Sequence, residues 1–272
     1  MSRDLFNLTN KVAIVTGGNG FLGGVMAKTL ACYGAKIVII GRNSETVKKR
    51  ACEIVHSGRE SMGIVADVLN EESLNSARDE VMGNFGRIDI LVNAAGGNTK
   101  EAVIEPNQSF FEKPLRDQKP VIELNLMGTM NPIHVFGKIL CNQKTGSIIN
   151  ISSEAVPRVI SRVPGYSAAK AAVENFTRWL AVDLATRYGD RIRVNAIRPG
   201  FFLADQNRRL LTRENGELTA RGDQIVKHTP MGRFGQAEEL AGVVIFLASD
   251  ASKFVTGEVI TVDGGFGCYS GV

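Results

Sequence analysis

Short apolar runs alternate along the chain with longer segments whose apolar residues recur at helical spacing. The short runs are rich in Val and Ile and nearly continuous, which is typical of strands covered on both faces. The predicted strands are Val12–Thr16, Lys36–Ile40, Gly63–Ala66, Ile88–Val92, Ser147–Ile151, Arg193–Ile197 and Val259–Val262. The predicted helices between them are Gly23–Tyr33, Ser44–Ser57, Glu71–Asn84, Pro120–Leu140, Ala168–Tyr188 and Ala237–Ala248.

This alternation predicts an α/β fold, a doubly wound parallel sheet of about seven strands with helices on both faces. No repeat, low-complexity tract or linker interrupts the pattern, so residues 1–272 are predicted to form a single Rossmann-fold domain. Segments 97–119 and 201–228 do not follow the alternation. Each follows the carboxyl end of a strand, where open α/β sheets bind ligands. We therefore expect both segments to be substrate loops.

Composition and charge narrow the class of protein. The chain has 44% hydrophobic and 22% charged residues and a formal net charge of +4, with Lys and Arg scattered among Asp and Glu. Such a balance disfavours nucleic acid as a partner and suits a small anionic or polar substrate. The start of the chain is polar and no apolar stretch reaches the ~18 residues of a membrane span, so no membrane partner is expected.

Cysteine and histidine usage bears on compartment and metal binding. The four cysteines form no Cys-x-x-Cys pair, which favours free thiols in a reducing cytoplasm. His56, His134 and His228 show no ligand spacing with cysteines or carboxylates, so no metal site is expected.

A glycine-rich segment from Thr16 to Gly24 follows the first strand and opens the first helix. Glycines there permit a tight turn and close approach of the backbone to a pyrophosphate, which the helix N-terminus attracts. The segment therefore predicts a dinucleotide site, against the alternative of a plain glycine-rich turn. Its candidate cofactor-binding residues are Gly17, Gly18, Asn19, Gly20, Phe21, Leu22 and Gly23.

The end of the second strand bears on which dinucleotide is bound. No acidic residue stands there to bind the adenosine ribose of NAD; the chain has Gly41, Arg42 and Asn43 instead. Arg42 offers a cation for a 2′-phosphate, so NADP(H) is favoured and NAD remains possible. A solvated surface arginine is the alternative interpretation. Asp67 and Val68 end the third strand, where Asp67 either contacts the cofactor or caps the following helix.

Polar residues cluster at the ends of the later strands. Asn93-Ala94-Ala95-Gly96 ends the fourth strand, Asn125 lies in a long helix, and Ser153 follows the fifth strand. Tyr166 and Lys170, four residues apart, share one helix face. A free tyrosine has a pKa near ~10, and a cation at Lys170 favours its phenolate form. Tyr166 is therefore a candidate general acid–base residue.

Together these residues resemble the short-chain dehydrogenase/reductase family over essentially the whole chain. The resemblance rests on Thr16-Gly17…Gly23, Asn93-Ala94-Ala95-Gly96, Asn125, Ser153, Tyr166-Ser167-Ala168-Ala169-Lys170, Pro199-Gly200 and Val262-Asp263-Gly264-Gly265. Phe21 stands where the family has its second loop glycine, and Gly20 is expected to take over part of that role. Ala204 stands where the family often has a threonine that binds the carboxamide.

The resemblance implies a role for each matching residue. Tyr166 would exchange a proton with the substrate oxygen, which Ser153 would hydrogen-bond. Lys170 would also bind the nicotinamide ribose, and Asn125 would hold a water beside it. Asp67 would contact the adenine, and Pro199-Gly200 would pass beneath the nicotinamide.

The resemblance also implies a homotetramer. In this family, the helices equivalent to Pro120–Leu140 and Ala168–Tyr188 pair between subunits. Within the second of these helices, the pattern of Phe176, Trp179 and Leu180 indicates packing.

Longer stretches of the sequence are similar to a bacterial subgroup, the D-mannonate oxidoreductases (fructuronate reductases) and gluconate 5-dehydrogenases. It rests on Ala94-Ala95-Gly96-Gly97-Asn98 and Thr229-Pro230-Met231-Gly232-Arg233-Phe234-Gly235, among other stretches. This implies reduction of a ketone on a sugar acid, D-fructuronate to D-mannonate. A cationic pocket would suit such an acid, and its candidate arginines are Arg158, Arg162, Arg208 and Arg209. A 3-oxoacyl-carrier-protein reductase and a non-catalytic NADP(H)-binding sensor remain alternatives.

Overall fold

A seven-stranded, wholly parallel sheet forms the centre of the molecule in a computed structural model that describes residues 4–204, 208 and 210–271. The spatial order of the strands is β3-β2-β1-β4-β5-β6-β7. Their bounds are β1 Val12–Thr16, β2 Lys36–Gly41, β3 Ser61–Val65, β4 Ile90–Asn93, β5 Gly146–Ile151, β6 Ile192–Pro199 and β7 Val259–Val262. The predicted single doubly wound Rossmann-like domain is thus confirmed.

Helices cover both faces of the sheet. Their bounds are α1 Phe21–Cys32, α2 Ser44–His56, α3 Glu71–Phe85, α4 Lys119–Gln143, α5 Pro164–Tyr188, α6 Ala220–Lys227 and α7 Ala241–Ala248. On one face α1, α2 and α7 bury a core that includes Met26, Leu30, Val47 and Leu247. On the other face α3, α4 and α5 bury a second core around the fully enclosed Phe136. No helix in the described ranges has the length and apolarity to span a membrane.

Helices α5 and α6 differ from the sequence-based expectation. Helix α5 begins at Pro164 rather than Ala168, because proline favours the first turn, where its missing N–H is not needed. Helix α6 lies inside the segment that was expected to be a loop. In the packing pattern predicted within α5, Leu180 is 8% exposed, whereas Trp179 is 60% exposed and its ring stacks on that of Phe176 with 6.3 Å between the centroids.

The strand order creates a switch point between β1 and β4. From β1 the chain winds outward through β2 and β3, and from β4 it winds the opposite way through β5, β6 and β7. Connections leave the sheet in opposite directions at such a point, so a crevice opens at the carboxyl ends of the two central strands.

Candidate active site

A cleft of about 430 Å³ opens at this switch point. It brings together residues from the ends of β1, β2, β3 and β4 and from the first turns of α5. Most of the predicted site residues line it. They are Gly17, Asn19, Gly20, Phe21, Leu22, Gly23, Arg42, Asn43, Val68, Ala94, Ala95, Gly96, Tyr166 and Lys170.

The glycine-rich loop turns tightly against the end of β4. Gly17 has a φ of +63°, and a Cβ there would lie 2.8 Å from the carbonyl oxygen of Ala94. Its own N–H donates to the carbonyl oxygen of Ile40 at 2.8 Å. Only glycine meets both the positive φ and the close approach. The loop therefore carries no side chain at its point of contact with β4.

Phe21 fits into the glycine-rich loop with ordinary backbone angles. Gly20, the N-cap of α1, has a φ of −79°, and Phe21 begins the helix with a side chain that is 38% exposed. Neither position has a positive φ, so neither requires glycine for its backbone. No side chain caps the start of α1, and its first N–H groups remain for an anion such as a phosphate. The cleft thus fits the pyrophosphate of a dinucleotide.

The end of β2 lies at one end of the cleft. A Cβ on Gly41 would collide with the side-chain amide of Asn19, so the fold keeps this position free of a side chain. Arg42 follows with an exposed side chain that lines the cleft. Asn43 also lines the cleft and caps α2, accepting from the backbone N–H of Thr46 at 2.9 Å.

Several predicted cofactor residues lie beside or behind the cleft and do not line it. They are Gly18, Asp67, Asn93, Pro199 and Gly200. Asn93 is 1% exposed and donates to the side-chain oxygen of Asn150 at 2.9 Å. The alternative interpretation of Asp67 as a helix cap is wrong, because Asn70 caps α3 and accepts from Ser73. Asp67 instead closes its own turn by accepting from Leu69 N–H at 2.9 Å.

Tyr166 and Lys170 both lie in the first turns of α5, at the other end of the cleft. Lys170 is 4% exposed, and its Nζ donates to the carbonyl oxygen of Ile151, the last residue of β5, at 2.8 Å. The same Nζ lies 5.7 Å from the centroid of the Tyr166 ring. Ser153 follows β5 and hydrogen-bonds Tyr166. The fold thus brings the predicted serine, tyrosine and lysine together.

Asn125 reaches the same region from α4. It is fully buried and holds Gly97 from both sides, accepting from its N–H at 3.1 Å and donating to its carbonyl oxygen at 2.7 Å. A Cβ on Gly96 would lie 2.7 Å from Asn125 Oδ1 and 3.3 Å from Lys170 Nζ. Asn125 and Lys170 therefore meet across Gly96, where no side chain intervenes.

Burial sets the protonation of the two titratable groups. It raises the pKa of Tyr166, and the hydrogen bond from Ser153 lowers that pKa by a smaller amount. Burial also lowers the pKa of Lys170 to about 8. A lysine cation was expected to lower the pKa of Tyr166. In the protein alone the pKa is raised instead, because loss of solvation is the larger effect.

A buried ion pair between Glu174 and Arg198, which was not predicted from the sequence, supports the site. Glu174, one turn after Lys170 on α5, accepts from Ser152 Oγ at 2.6 Å. Arg198 on β6 donates to both oxygens of the same carboxylate at 2.8 and 2.7 Å. These contacts fix α5 to the end of β5, and with it the position of Tyr166 relative to Ser153. These residues come from three separate elements, so no local sequence motif marks them.

Glu154 is a second residue that sequence reasoning missed. Its side chain is 2% exposed, and neither carboxylate oxygen has a hydrogen-bond partner among the described residues. Burial is the main cause that raises its pKa to about 7, with a further contribution from Asp263; Arg198, 4.0 Å away, opposes it. With this pKa, the carboxyl of Glu154, the residue after Ser153, gains or loses its proton near neutral pH.

The arginines predicted to flank the pocket have different environments. Arg158 donates to the carbonyl oxygen of Gly267 at 2.6 Å, and Arg162 donates to that of Ile104 at 2.9 Å and pairs with Glu105. Arg208 is exposed, and Arg209 lies outside the described residues. Ala204 is 3% exposed and so offers no side chain to the cleft.

The first expected substrate loop, 97–119, is fastened to the segment that precedes Tyr166. Gln118 donates to the carbonyl oxygen of Ala102 at 2.8 Å and accepts from the N–H of Gly165 at 3.1 Å. The backbone N–H of Ile104 donates to the carbonyl oxygen of Arg162 at 2.9 Å. The loop is therefore held against the segment that leads into α5 and Tyr166.

Comparisons with known proteins show the family of the chain. A family model described as enoyl-(acyl carrier protein) reductase, of the short-chain dehydrogenase/reductase group, matches residues 20–267. The oxidoreductase UxuB of Bacillus subtilis (strain 168) is 42% identical over 275 residues, covering 98% of each chain.

Two solved structures are similar over almost the full length. A proposed D-mannonate oxidoreductase from Haemophilus influenza with bound NAD is 40% identical, with a TM-score of 0.91 and 98% of each chain covered. A gluconate 5-dehydrogenase from Burkholderia cenocepacia J2315, in complex with NADP and tartrate, is 35% identical, with a TM-score of 0.85 and 97% of each chain covered.

Proposed function

The chain belongs to the short-chain dehydrogenase/reductase family, whose members are oxidoreductases acting on alcohol and ketone groups, and from this premise we propose that it reduces a ketone on a sugar acid. The preferred substrate is D-fructuronate, with D-mannonate as the product. The observation that carries the proposal is the meeting of Ser153, Tyr166 and Lys170 at one end of a dinucleotide-sized cleft.

In the proposed reaction, protonated Tyr166 donates its proton to the carbonyl oxygen. Ser153 Oγ accepts from the N–H of Ala155 at 3.2 Å. Its hydroxyl, which hydrogen-bonds Tyr166, would turn its proton to the substrate oxygen and stabilise the charge that develops there. Lys170 would pass the replacement proton toward Tyr166, and Asn125, on the other side of Gly96, would hold a water beside Lys170. A bound nicotinamide cofactor supplies the hydride.

We propose NADP(H) as the preferred cofactor, although one similar structure holds NAD and another NADP. The glycine-rich loop would hold the pyrophosphate, and Arg42 the 2′-phosphate. Gly41 supports this assignment, because an acidic side chain at that position would collide with Asn19.

Arg42→Ala is expected to raise the Kd for NADPH by about 10-fold, since the variant loses a charge-assisted hydrogen bond to the phosphate. The Kd for NADH is expected to stay unchanged. Fluorescence titration of both cofactors measures this, with Arg59→Ala, an exposed arginine after α2, as the control. Equal weakening of NADPH and NADH would remove Arg42 from the role.

The substrate assignment rests on the surroundings of the cleft. Residues 97–119 and 201–228 are proposed as substrate loops, and Arg221 of the second loop lines a cavity together with Asn98 and Thr99 of the first. The similar gluconate 5-dehydrogenase carries the dicarboxylate tartrate, which is in keeping with an acidic substrate.

Initial rates at 340 nm test the reaction directly, with NADPH and NADH in parallel against D-fructuronate, 5-keto-D-gluconate and an acetoacetyl thioester. Fast reduction of D-fructuronate supports the proposal, and a preference for 5-keto-D-gluconate changes only the sugar acid. Turnover of the thioester alone would identify an acyl-carrier-protein reductase instead. Cofactor binding without any turnover would favour a sensor.

We further propose a cytoplasmic homotetramer. The four cysteines are unpaired, as expected in a reducing compartment. Helices α4 and α5 present apolar side chains to solvent, with Met127 38%, Trp179 60% and Val182 69% exposed. Such a face favours a second copy of the chain, because contiguous exposed apolar surface on a single chain is uncommon.

Trp179→Glu is expected to dissociate the assembly, because it places a charge in the proposed interface. Size-exclusion chromatography with light scattering measures the mass, which for the wild type is expected at four times the chain mass of 29.4 kDa. Val55→Glu, a half-exposed position on α2, serves as the control. A wild-type mass equal to that of one chain would refute the tetramer.

A further inference from the structure

A second cavity, of about 460 Å³, lies beside the catalytic end of the cofactor cleft. Asn98 and Thr99 line it and directly follow Gly96 and Gly97, which line the cleft. Val163, also in its lining, immediately precedes α5 and the turn that carries Tyr166. The cavity therefore extends the space around the proposed reacting carbonyl on the side away from the glycine-rich loop.

Two arginines face this cavity, and they differ in how their charges are balanced. Arg162 pairs with the carboxylate of Glu105 and donates to the carbonyl oxygen of Ile104. Arg221, in the first turn of α6, has a hydrogen bond of 3.5 Å to the hydroxyl of Ser161. No carboxylate within the described ranges forms an ion pair with Arg221.

The surroundings of Arg221 favour an anion. Its side chain is partly buried, so solvent screens its charge less than that of a surface arginine. Burial lowers the pKa of Arg221, and the nearby positive charge of Arg162 lowers it further. Arg221 nevertheless stays charged, because a guanidinium is not deprotonated in proteins at ordinary pH. An anion in the cavity would relieve the repulsion between the two arginines.

We propose that this cavity binds the carboxylate of the substrate and that Arg221 is the residue that recognises it. The assignment rests on the proposed function, because it takes the substrate to be a sugar acid. A guanidinium presents two parallel N–H donors that match the two oxygens of a carboxylate. The substrate would then be held at both ends, by Tyr166 and Ser153 at the carbonyl and by Arg221 at the acid.

Steady-state kinetics with D-fructuronate and its methyl ester, which lacks the charge, test the role of Arg221. Arg221→Met is expected to raise KM for the acid by about 10- to 100-fold, as for loss of one charged hydrogen-bonding partner. KM for the ester and kcat for both are expected to change little. Arg221→Lys, which keeps the charge but not the paired donors, is expected to fall between.

Lys227→Met is the matched control, since Lys227 lies on the same helix and pairs with Asp223 at the surface. Its kinetics are expected to equal those of the wild type. An equal rise of KM for acid and ester in Arg221→Met would indicate a structural role and overturn the proposal. An unchanged KM for the acid would overturn it as well.

Calorimetry gives a readout that does not depend on turnover. Sodium D-gluconate and neutral D-glucitol are titrated into the protein saturated with NADP⁺. If gluconate binds more tightly than glucitol and Arg221→Met loses this preference, the carboxylate site is supported. If, with that binding result, neither keto acid is reduced, only the proposed reaction fails. Equal binding of both compounds, or gluconate binding that Arg221→Met leaves intact, refutes the carboxylate site whatever the turnover.

Discussion

Tyr166→Phe is expected to lower kcat for ketone reduction by about 10²- to 10⁴-fold, the range associated with loss of a general acid. The ring of Tyr166 remains in the variant, so its packing against the cleft is kept and only the proton donor is lost. Burial raises the pKa of Tyr166, which keeps the hydroxyl protonated and ready to donate. The measurement is single-turnover reduction at saturating NADPH.

Two readouts separate loss of chemistry from loss of binding. The Kd for NADPH and the thermal midpoint of Tyr166→Phe are expected to match the wild type. Tyr269→Phe, a substitution near the C-terminus and outside the lining of the cleft, is the matched control and should retain full turnover. If Tyr166→Phe also turned over at the wild-type rate, another group would have to supply the proton.

Glu154→Gln is expected to stabilise the protein above pH 7 and to leave its stability unchanged below about pH 4.5. The pKa of Glu154 is raised from 4.5 to about 7 in the folded chain. A raised carboxyl pKa means that the folded state binds its proton more tightly than the unfolded state does. The stability that this proton provides is complete below pH 4.5 and is lost as the pH rises through 7.

The expected gap between the variant and the wild type follows from that shift. At pH 8 the free energy of unfolding of Glu154→Gln should exceed that of the wild type by about 3 kcal/mol. The glutamine has nearly the same shape and stays neutral at every pH. Urea denaturation at pH 5 and pH 8 measures the gap, with Glu123→Gln on the exposed side of α4 as the control. A gap of the same size at both pH values would contradict the raised pKa.

The strands and most of the site were predictable because their signals are local. The Val- and Ile-rich runs predicted β1 and β7 with their full bounds. Strand β1 is buried at every position, as expected for a strand covered on both faces. The glycine-rich loop was predictable because a positive φ and a close approach leave glycine as the only choice. Tyr166 and Lys170 were predictable because spacing on one helix fixes their shared face.

The residues that sequence reasoning missed act through contacts between distant elements. Glu174, Arg198 and Glu154 meet from α5, β6 and the segment after β5, and none belongs to a local pattern. Arg221 was missed because its helix lies in a segment that reads as a charged loop. Its proposed role depends on Arg162 pairing with Glu105 while no carboxylate of the described residues pairs with Arg221, and only the tertiary structure shows this difference.

The pairing of β1 with β4 also bears on how the chain unfolds. Strands β1, β2 and β3 belong to one stretch of the chain and strands β4 to β7 to the rest, so within the sheet the two stretches are joined along one strand pair. A cofactor held by the glycine-rich loop on one stretch and by Tyr166 and Lys170 on the other ties them together. We therefore expect amide hydrogen exchange in Val12–Thr16 and Ile90–Asn93 to slow together when NADPH binds, as one cooperative unit.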